Sequence, residues 1–518
     1  MTTDNWQTLA MAHLRRGDFV SAMELCDGMV KQEPRQAEAH GMRGCVLRGL
    51  GRWEEALQSF DRAIQLRPDY AEAHNNRGIV LRDLARLEDA LACHEHAIRI
   101  KADYANAWKN RGIVLHDLKR FEEALASHEH VIRLCPEDAQ AHNCRGNVLH
   151  RLRRLDEAVE SYTRAVALSP DYAEAYHNRS ISLRELRRVA EAVESCEKAV
   201  AIRPNYAEPW WNMAELLILA GHYARGWPMF DWRWKSAEYG KVFRQLDRPV
   251  WRGDEDIIGK TILVNLDGGF GDTLNFCRYA PLLEQRGARV ILEVQAGLVT
   301  LLQHSLSSMQ VIANGQPLPP FDCHCPMMSL PGAFALPLAQ IPATLPYLRV
   351  PEGQPQRWKA RLGSKTRPRI GLVWSGSTDH SNDFQRSMSA EMMRLLTTLD
   401  AEFHCLQKEI RTADRAAVSA LPIKTWEAEL ADFADTAALV MQMDIVVSVD
   451  TSVAHLAGAL GRSVWVLLPY VPDMRWLLAR EDSPWYPEVM RLFRQDPSRA
   501  WETVVEKVHG ELHSLLHS

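Results

Sequence analysis

A glycine-rich turn that ends in a carboxylate follows the short apolar run Thr261–Val264, in the segment LDGGFGDTLNF. Its glycines, Gly268, Gly269 and Gly271, allow a ligand to approach the backbone closely. Asp272 stands where the next helix is predicted to begin, and a carboxylate there can take a proton from a reacting group. Taken alone, the segment leaves three interpretations open: a phosphate cradle, a catalytic aspartate or a strand-to-helix corner.

A second polar segment, SVDTSVAHLAGALG, covers Ser448–Gly461, where a buried strand is predicted to end and a helix to begin. Free backbone N–H groups at a helix N-terminus attract anions. Thr451 and Ser452 can add hydroxyl donors to a diphosphate, and His455 follows one helical turn later on the face of Thr451. We interpret the segment as an anion site. The alternative is a helix cap formed by Asp450 and Thr451, with a structural His455.

Alternating strand and helix patterns position both segments. Strands that alternate with helices indicate α/β sheets, in which ligands bind at the carboxyl ends of the strands. The predicted strands are Thr261–Asn265, Arg289–Glu293, Met309–Ile312, Phe321–Cys325, Arg369–Trp374, Ile445–Asp450 and Ser463–Pro469. The predicted helices are Asp272–Gln285, Leu298–His304, Thr451–Leu460 and one that begins at Ser389. A proline-rich stretch, residues 317–355, separates two such α/β units.

The first half of the chain repeats itself with a period of 34 residues. Successive units begin at Ala37, Ala71, Ala105, Ala139, Ala173 and Ala207, and a weaker unit covers residues 3–36. Glycines recur in register where paired helices approach closely, and a proline ends the second helix of most units. This pattern is the signature of tetratricopeptide repeats, which stack into a superhelix with an extended binding surface.

Four asparagines occupy one position in the first helix of different repeats: Asn76, Asn110, Asn178 and Asn212, with Cys144 interrupting the series. An amide side chain both donates and accepts, so it can pair with a peptide backbone of any sequence. The series resembles the asparagine ladder in the superhelix of eukaryotic O-GlcNAc transferases, which grips extended acceptor peptides. Hydrogen bonds to neighbouring helices or to water are the alternative role.

Composition narrows the class of protein. The net charge of −5 argues against a nucleic-acid partner. The sequence has no apolar run near the roughly 18 residues that span a bilayer, and its N-terminus lacks the basic and apolar parts of a secretory signal. The ten cysteines form no disulfide framework. We therefore predict a cytoplasmic protein without a transmembrane segment.

Three clusters of possible ligands have simpler interpretations than a metal site. Cys323–Cys325 reads as alternate residues of a strand, and no second ligand pair follows it. Asp254–Asp256 forms a D-x-D sequence, but it precedes the first strand instead of following several. His509, His513 and His517 share one face of a terminal helix, where fraying is the ordinary outcome. We predict no bound metal.

The motifs resemble those of a known enzyme family. SVDTSVAHLAGALGRSVWVLL looks like the nucleotide-sugar motif of the heptosyltransferase-like glycosyltransferases of family 9, and LDGGFGDTLNFCRYAPLL resembles the G-x-x-G-D segment of that family. The chain is similar throughout to bacterial fusions of tetratricopeptide repeats with such a domain. Its organisation also resembles O-GlcNAc transferases and repeat-containing flagellin glycosyltransferases. The resemblance implies a GT-B fold of two Rossmann-like lobes, a nucleotide sugar as donor, and neither a cofactor nor a metal.

The resemblance also implies roles for individual residues. Asp272 would be the general base, with Gly268, Gly269 and Gly271 beside the acceptor. The donor diphosphate would be held by Ser375, Gly376, Ser377, Arg386, Asp450, Thr451, Ser452 and His455, and His455 would also donate to the departing oxygen. Many of the fusions carry an acidic or amide residue and a glycine before the G-x-G-D turn. Here Asp267 stands near that place, so the division of labour between Asp267 and Asp272 stays open.

The predicted architecture is an all-α repeat superhelix followed by an α/β GT-B fold. The predicted parts are the superhelix at residues 1–235, an aromatic-rich linker at 236–258, an acceptor-side lobe at 259–350 and a nucleotide-sugar-binding lobe at 351–518. Six of the 16 tryptophans lie between Trp210 and Trp251, which predicts a buried inter-domain contact, with a sugar-binding platform as the alternative.

The expected function is inverting transfer of a sugar from a nucleotide donor to hydroxyls of a protein selected by the repeats. Flagellin or another surface or secreted protein fits as acceptor by analogy. A lipid-linked or polysaccharide acceptor is one alternative. A protein-binding scaffold with degenerate transferase lobes is another, although Asp272, Asp450, Thr451 and His455 are all retained.

Overall fold

The computed structural model describes residues 5–237, 239–241, 244–378 and 382–517. Packing divides the chain into two compact units, of which the first ends at Asn205 and the second begins at Tyr206. The repeat domain was predicted to extend to residue 235, whereas residues 206–235 fold with the second unit. Within the described ranges, no helix combines the length and the apolar character needed to cross a membrane.

The first unit is a superhelix of tetratricopeptide repeats. From Ala37 onward, the first helix of each repeat begins 34 residues after the one before it, which confirms the predicted period. The helices are α1 (Asn5–Arg15), α2 (Phe19–Gln32), α3 (Ala37–Gly49), α4 (Trp53–Leu66), α5 (Ala71–Asp83), α6 (Leu87–Ile100), α7 (Ala105–Asp117), α8 (Phe121–Leu134), α9 (Ala139–Arg151), α10 (Leu155–Leu168), α11 (Ala173–Glu185) and α12 (Val189–Ile202).

The recurring glycines let the two helices of a repeat touch. A Cβ atom at Gly44 would lie 2.7 Å from Cε1 of Phe60, and one at Gly78 would lie 2.7 Å from Cε1 of His94. Real Cβ atoms do not approach ring atoms so closely, so any larger residue would force the helices apart. The recurring glycines are therefore needed for the close packing of α3 against α4 and of α5 against α6.

Buried histidines stand in two repeats where Phe60 stands in an earlier one. His94 and His128 are 0% and 1% exposed. Nδ1 of His94 lies 3.1 Å from Oδ1 of Asn75 and donates to it, which leaves Nε2 buried with no hydrogen-bond partner among the described residues. Burial lowers the pKa of each imidazole to about 4, because a charged ring would lose its hydration there.

Two helices at the start of the second unit pack into its hydrophobic core. They are α13 (Ala207–Leu219) and α14 (Tyr223–Phe230), followed by a 3₁₀ turn at Asp231–Lys235. The Trp227 ring meets Phe276 edge-on at 6.0 Å between centroids, and the Tyr223 ring lies 6.1 Å from that of Trp485. Of the clustered tryptophans, Trp227 and Trp251 are almost fully buried.

The first lobe of this unit is a four-stranded parallel sheet with strand order β3-β2-β1-β4. Its strands are β1 (Thr261–Asn265), β2 (Arg289–Val294), β3 (Gln310–Ala313) and β4 (Cys323–Pro326). Its helices are α15 (Phe270–Phe276), α16 (Ala280–Gln285), α17 (Val299–Ser305) and α18 (Leu330–Phe334). The order reverses at β1, whose carboxyl end carries the Gly268–Asp272 turn. The single helix predicted at Asp272–Gln285 is divided into α15, a 3₁₀ turn and α16, because Pro281 at the start of α16 cannot donate a helical hydrogen bond.

The second lobe is a six-stranded parallel sheet with order β10-β9-β8-β5-β6-β7. Its strands are β5 (Arg369–Val373), β6 (Glu402–Cys405), β7 (Ile423–Lys424), β8 (Ile445–Val449), β9 (Val464–Leu468) and β10 (Met490–Arg494). Its helices are α19 (Gln354–Leu362), α20 (Asp383–Arg386), α21 (Arg415–Ala420), α22 (Phe433–Val440), α23 (Ser452–Ala459) and α24 (Trp501–His517). At Ser389, a 3₁₀ helix (Ala390–Arg394) replaces the predicted α-helix.

Strand order in the second lobe identifies where a ligand would bind. Counted from β5, the order is that of doubly wound α/β sheets, in which ligands bind where the order reverses. The reversal lies between β5 and β8. Ser375–Ser377 follow β5, and Asp450–Ser452 follow β8 and lead into α23. Both segments belong to the predicted donor residues.

We expect the repeats to lose stability as the pH falls from about 6.5 towards 4. The unfolded chain takes up protons on His94 and His128 in this interval, whereas the folded chain does not, so stability present above the unfolded pKa is lost. The loss amounts to roughly 3 kcal/mol per histidine. Urea unfolding at several pH values, followed by circular dichroism, should show a smaller loss in His94→Phe/His128→Phe.

Phe60 shows that the repeat accommodates phenylalanine at this position. The control is His142→Phe, a half-buried histidine on a first helix, which should leave the acid-induced loss unchanged. Equal losses in the double variant and the wild type would contradict the assignment of the effect to the two buried imidazoles.

Candidate active site

The two motif segments meet inside the second unit, at the N-termini of α15 and α23. A Cβ atom on Gly271 would lie 3.1 Å from Cδ2 of His455 and 3.6 Å from Cα of Ser452. Gly271 is the second residue of α15 and Ser452 is the first residue of α23. The glycine thus allows a helix start from one sheet to touch a helix start from the other.

Asp272 uses both carboxylate oxygens within this contact. Its Oδ2 accepts a 2.7 Å hydrogen bond from the N–H of Gly269, the residue that caps α15. Its Oδ1 accepts a 2.6 Å hydrogen bond from Nη2 of Arg475, which lies 203 positions later in the chain. The Asp272 side chain is 21% exposed. The carboxylate is therefore at the surface of the site, but it is already paired.

Arg475 is a site residue that the sequence did not reveal. It belongs to a 3₁₀ turn, Met474–Trp476, and its side chain is 8% exposed. Its Nε donates to Oδ1 of Asp473 at 2.7 Å, while Nη2 reaches Asp272. Burial alone would lower the pKa of Arg475, but the carboxylates around it outweigh that effect and raise the pKa above its already high value, so its charge is permanent. Sequence spacing gave no signal for it, because the pairing joins distant segments.

His455 is buried beside the contact and is held as a neutral ring. It stacks on Trp476 with centroids 5.1 Å apart, and its Nδ1 lies 2.9 Å from the hydroxyl of Tyr486. That hydroxyl gives its single hydrogen to Asn275, so the imidazole must supply the hydrogen for the bond with Tyr486. Nε2 is left with a lone pair, 3.9 Å from Oδ1 of Asp450. A neutral ring in this tautomer has no N–H to offer, so it does not fit the expected donation from His455 to the departing oxygen. Burial, together with nearby guanidinium groups, lowers the pKa of His455 well below its ordinary value.

Asp450 directly follows strand β8, between its last residue and the start of α23. Burial and, to a smaller extent, the neighbouring carboxylate of Asp473 raise the pKa of Asp450 to about 6. Arg475 acts in the opposite direction. The backbone carbonyl of Asp450 accepts a 3.2 Å hydrogen bond from Nη1 of Arg386. A perturbed carboxylate of this kind, in a cluster of charges at a sheet edge, is typical of functional sites.

The helix start itself leaves donors for a ligand. Thr451 is the cap residue of α23, yet its hydroxyl lies 3.0 Å from that of Ser448 and caps no N–H group in the described structure. The carbonyl of Thr451 accepts from the N–H groups of Ala454 and His455. The earlier N–H groups of the first turn are those that an anion would meet.

The loop after β5 is held in place by side chains of its own lobe. Ser375 donates its N–H to Oε1 of Gln407 at 3.2 Å, and its hydroxyl accepts from Nε2 of the same side chain at 3.1 Å. A Cβ atom on Gly376 would lie 2.7 Å from Nη2 of Arg386, so glycine is what lets this guanidinium approach the end of β8. Ser377 follows in the same loop, and residues 379–381 of the predicted loop lie outside the described part of the chain.

Asp267 has a contact quite different from that of Asp272. Its Oδ2 accepts a 2.6 Å hydrogen bond from Nη2 of Arg233, and both side chains are almost completely buried. Arg233 also donates to Asp231, Ser329 and the carbonyl of Phe230. Burial raises the pKa of Asp267, while the guanidinium opposes that shift. The pair anchors the 3₁₀ turn after α14 to the loop after β1.

A second buried arginine connects the lobes. Arg278, 4% exposed, donates to the carbonyl of Trp485 at 2.5 Å and to the hydroxyl of Tyr347 at 2.7 Å. The rings of Tyr347 and Tyr486 lie 4.3 and 4.5 Å from its guanidinium carbon. Since Tyr486 is also the partner of His455, this cluster fixes the ring of the candidate site residue.

The predicted asparagine ladder is engaged between repeats. Nδ2 of Asn110 donates to Oδ1 of Asn75 at 2.9 Å, and Nδ2 of Asn178 donates to Oδ1 of Asn143 at 3.1 Å. Asn76 contacts the sulfur of Cys45 at 3.4 Å, and Asn212 is buried in α13. The amide nitrogens of Asn76, Asn110 and Asn178 therefore bond to the first helix of the preceding repeat, which is the alternative role considered for the series.

The possible metal ligands are dispersed. His324 is buried and its Nδ1 lies 2.9 Å from Oδ1 of Asn265, between the two cysteines of its strand. Nδ1 of His517 bonds to the carbonyl of His513, and Nε2 of His509 lies 3.2 Å from the hydroxyl of Thr398. No group of three or more His, Cys, Asp or Glu side chains among the described residues is arranged to hold a metal ion.

Comparisons with known proteins identify the first part of the chain. Residues 44–84 match a TPR repeat model, and residues 69–137, 118–173 and 145–207 match tetratricopeptide repeat models. A curated relative, Protein FlbA of Caulobacter vibrioides, is 24% identical over 334 residues, which are 59% of this chain and 55% of that protein. The chain thus spans about half the length of this relative.

Solved structures of repeat proteins resemble parts of the chain. YrrB, described as a TPR protein with an unusual peptide-binding site, is 22% identical, covers 36% of this chain and 95% of its own, and gives a TM-score of 0.31. PilF of Pseudomonas aeruginosa is 19% identical, with 41% and 96% coverage and a TM-score of 0.37. The family models, which match between residues 44 and 207, show that the chain contains tetratricopeptide repeats, a fold that binds peptides and proteins.

We expect Gly268→Ala to destabilise the second unit by about 2 kcal/mol. Gly268 has a φ of +97°, and a Cβ atom there would lie 2.6 Å from Oδ2 of Asp272. Gly315→Ala is the matched control, because Gly315 has a φ of +87° and nothing within 4 Å of the added atom. Chemical unfolding should show a larger decrease in the free energy of unfolding for Gly268→Ala than for Gly315→Ala. Equal losses would mean that the contact with Asp272 costs nothing.

Proposed function

We propose that the chain is a cytoplasmic, inverting glycosyltransferase of GT-B architecture that transfers a sugar from a nucleotide donor to a protein hydroxyl. One observation carries the proposal: the two motif segments that resemble family 9, which are about 180 residues apart in the sequence, meet at the N-termini of α15 and α23. The contact brings a carboxylate, an imidazole, two guanidinium groups and a helix N-terminus together at the carboxyl ends of two parallel sheets.

In this proposal the second lobe binds the nucleotide sugar. Its diphosphate lies at the start of α23, where the N–H groups of the first turn and the helix dipole favour negative charge. Ser452 adds a hydroxyl, and Arg386 adds a cation at the end of β8. Ser375–Ser377 form the neighbouring wall. These groups stabilise the nucleoside diphosphate as it leaves, without requiring a metal ion.

The first lobe presents the acceptor hydroxyl and the base that takes its proton. Asp272 is partly exposed, and Gly268, Gly269 and Gly271 leave room for the acceptor beside it. Asp267 has no such role in the proposal, because its carboxylate is buried against Arg233. Inversion follows from a single displacement in which the acceptor oxygen attacks the anomeric carbon opposite to the leaving diphosphate.

The repeats would select the protein that is modified. Carbonyl oxygens of the asparagine series can accept from the backbone N–H groups of an extended peptide regardless of its sequence. Flagellin or another surface protein fits by analogy with the fusions named above. A lipid-linked or polysaccharide acceptor would instead leave the repeats an assembly role, and a scaffold would bind proteins without binding a donor.

We expect Asp272→Asn to lower the turnover number at least 100-fold while donor binding survives, since the amide cannot take a proton. Donor binding can be measured by thermal stabilisation with a panel of nucleotide sugars, because a ligand that binds the folded state raises its melting temperature. Transfer can be measured by mass spectrometry of the acceptor.

Asp254→Asn is the matched control, because Asp254 is an exposed acid of the D-x-D sequence outside the site. It should change neither measurement. Unchanged turnover in Asp272→Asn would remove this carboxylate as the base. No stabilisation of the wild type by any nucleotide sugar would favour the scaffold.

We expect Asn110→Ala to raise KM for a protein acceptor several-fold and to change kcat little. The reason is that the variant loses one hydrogen bond to the acceptor backbone, which is worth about 1 kcal/mol. Asn106→Ala, an exposed position on the same helix, is the control. If both variants leave KM at the wild-type value, the asparagine series does not hold the acceptor.

A further inference from the structure

The pairing of Asp272 raises a question about its proposed chemistry. A general base needs a lone pair that can reach the acceptor hydroxyl. In this structure Oδ2 of Asp272 is bound to the N–H of Gly269 and Oδ1 to Nη2 of Arg475. The bond to Gly269 belongs to the cap of α15 and remains as long as the helix does. The bond to Arg475 is the one that can be exchanged.

Arg475 is surrounded by more negative than positive charge. Its guanidinium bonds to Asp272 and Asp473, and Asp450 is the third carboxylate that raises its pKa. Arg386 donates to the backbone carbonyl of Asp450, a member of the same group. The Arg475 fork can bind a phosphate as well as a carboxylate, because both present two oxygens in a plane or on one face.

We propose that Asp272 and the donor diphosphate bind Arg475 in turn, so that donor binding releases the carboxylate to act as base. This inference rests on the proposed function and adds a residue and an order of events to it. Before the donor binds, Arg475 holds Asp272. A diphosphate at the start of α23 then competes for the guanidinium, with Arg386 beside it, and Oδ1 of Asp272 becomes available to the acceptor.

With Oδ1 of Asp272 free, the transfer of the sugar is a single step in which every proton and electron pair has a destination. The acceptor hydroxyl gives its proton to Oδ1 of Asp272, and its oxygen forms a bond to the anomeric carbon. The bond from that carbon to the phosphate oxygen breaks, and its electron pair leaves with the nucleoside diphosphate. Arg475 stabilises the negative charge that this oxygen gains. In the absence of a donor the base stays paired with Arg475.

Binding of nucleoside diphosphates to the full chain tests the competition without any turnover. UDP, GDP and ADP are titrated into the wild type, Asp272→Asn, Arg475→Gln and the double variant by calorimetry. Arg475→Gln should weaken the diphosphate that binds about 10-fold or more. Asp272→Asn should strengthen it about 5-fold, because it frees the guanidinium. In the double variant, Asp272→Asn should have no further effect, which is the signature of a shared partner.

Two further variants separate competition from folding and from simple charge. Arg475→Lys keeps the charge and should recover part of the affinity, and melting temperatures show whether each variant is folded. Asp482→Asn removes a surface acid that is paired with Arg480 in the same lobe, and it should leave the affinity unchanged. If Asp272→Asn strengthens binding equally with and without Arg475, or not at all, the competition is refuted.

The outcome for the wild type distinguishes this inference from the proposed function. A wild type that binds none of the three diphosphates, and none of the nucleotide sugars, argues against a transferase and removes the basis of the inference. A wild type that binds one of them, with no coupling between Asp272 and Arg475, leaves the transferase intact and removes only the exchange of partners.

Discussion

The contact between the starts of α15 and α23 is the constraint on which the site depends. Two helix N-termini, each carrying partial positive charge, lie against one another, and this arrangement is electrostatically unfavourable by itself. Carboxylates offset this charge. Asp272 lies in the first turn of α15 and accepts from the N–H of its cap residue Gly269, and Asp450 and Asp473 lie near the start of α23. In this small region the partial positive charge of the two helix N-termini is offset by nearby carboxylates. An anion that binds there competes with these carboxylates for the same positive groups.

Buried arginines hold the lobes and the preceding helices in the geometry that this contact requires. Arg233 joins the turn after α14 to Asp267, and Arg278 joins the first lobe to the aromatic rings of the second. Removing one partner of such a buried pair leaves an uncompensated charge. The resulting loss of folding free energy is larger than the net stability that the intact pair provides. Asp267 and Asp272 are five positions apart, yet one carboxylate serves the framework and the other lies at the candidate site.

Much of the architecture could be predicted from the sequence, since it follows from periodicity. The 34-residue repeat and the strand Thr261–Asn265 agree with the structure residue for residue. Strands β6, β7 and β10 were not predicted, because their short segments lack a clear apolar run. Within the candidate site, local motifs predicted Asp272 and His455 as neighbours of helix starts. Arg475 and Tyr486 could not be predicted. No local pattern shows that Arg475 pairs with an aspartate some 200 residues away, and none shows that the hydroxyl of Tyr486 holds the imidazole of His455.

Helices α13 and α14 continue the repeat in sequence but belong to the core of the second unit. The period of a repeat and the limit of a folding unit are therefore different quantities in this chain. A cut placed by the period, after residue 235, would take Trp227 away from Phe276 and Arg233 away from Asp267. The lobes would be left with an apolar surface and an unpaired carboxylate. Any exchange of repeats between such proteins has to leave these two helices with the lobes they cover.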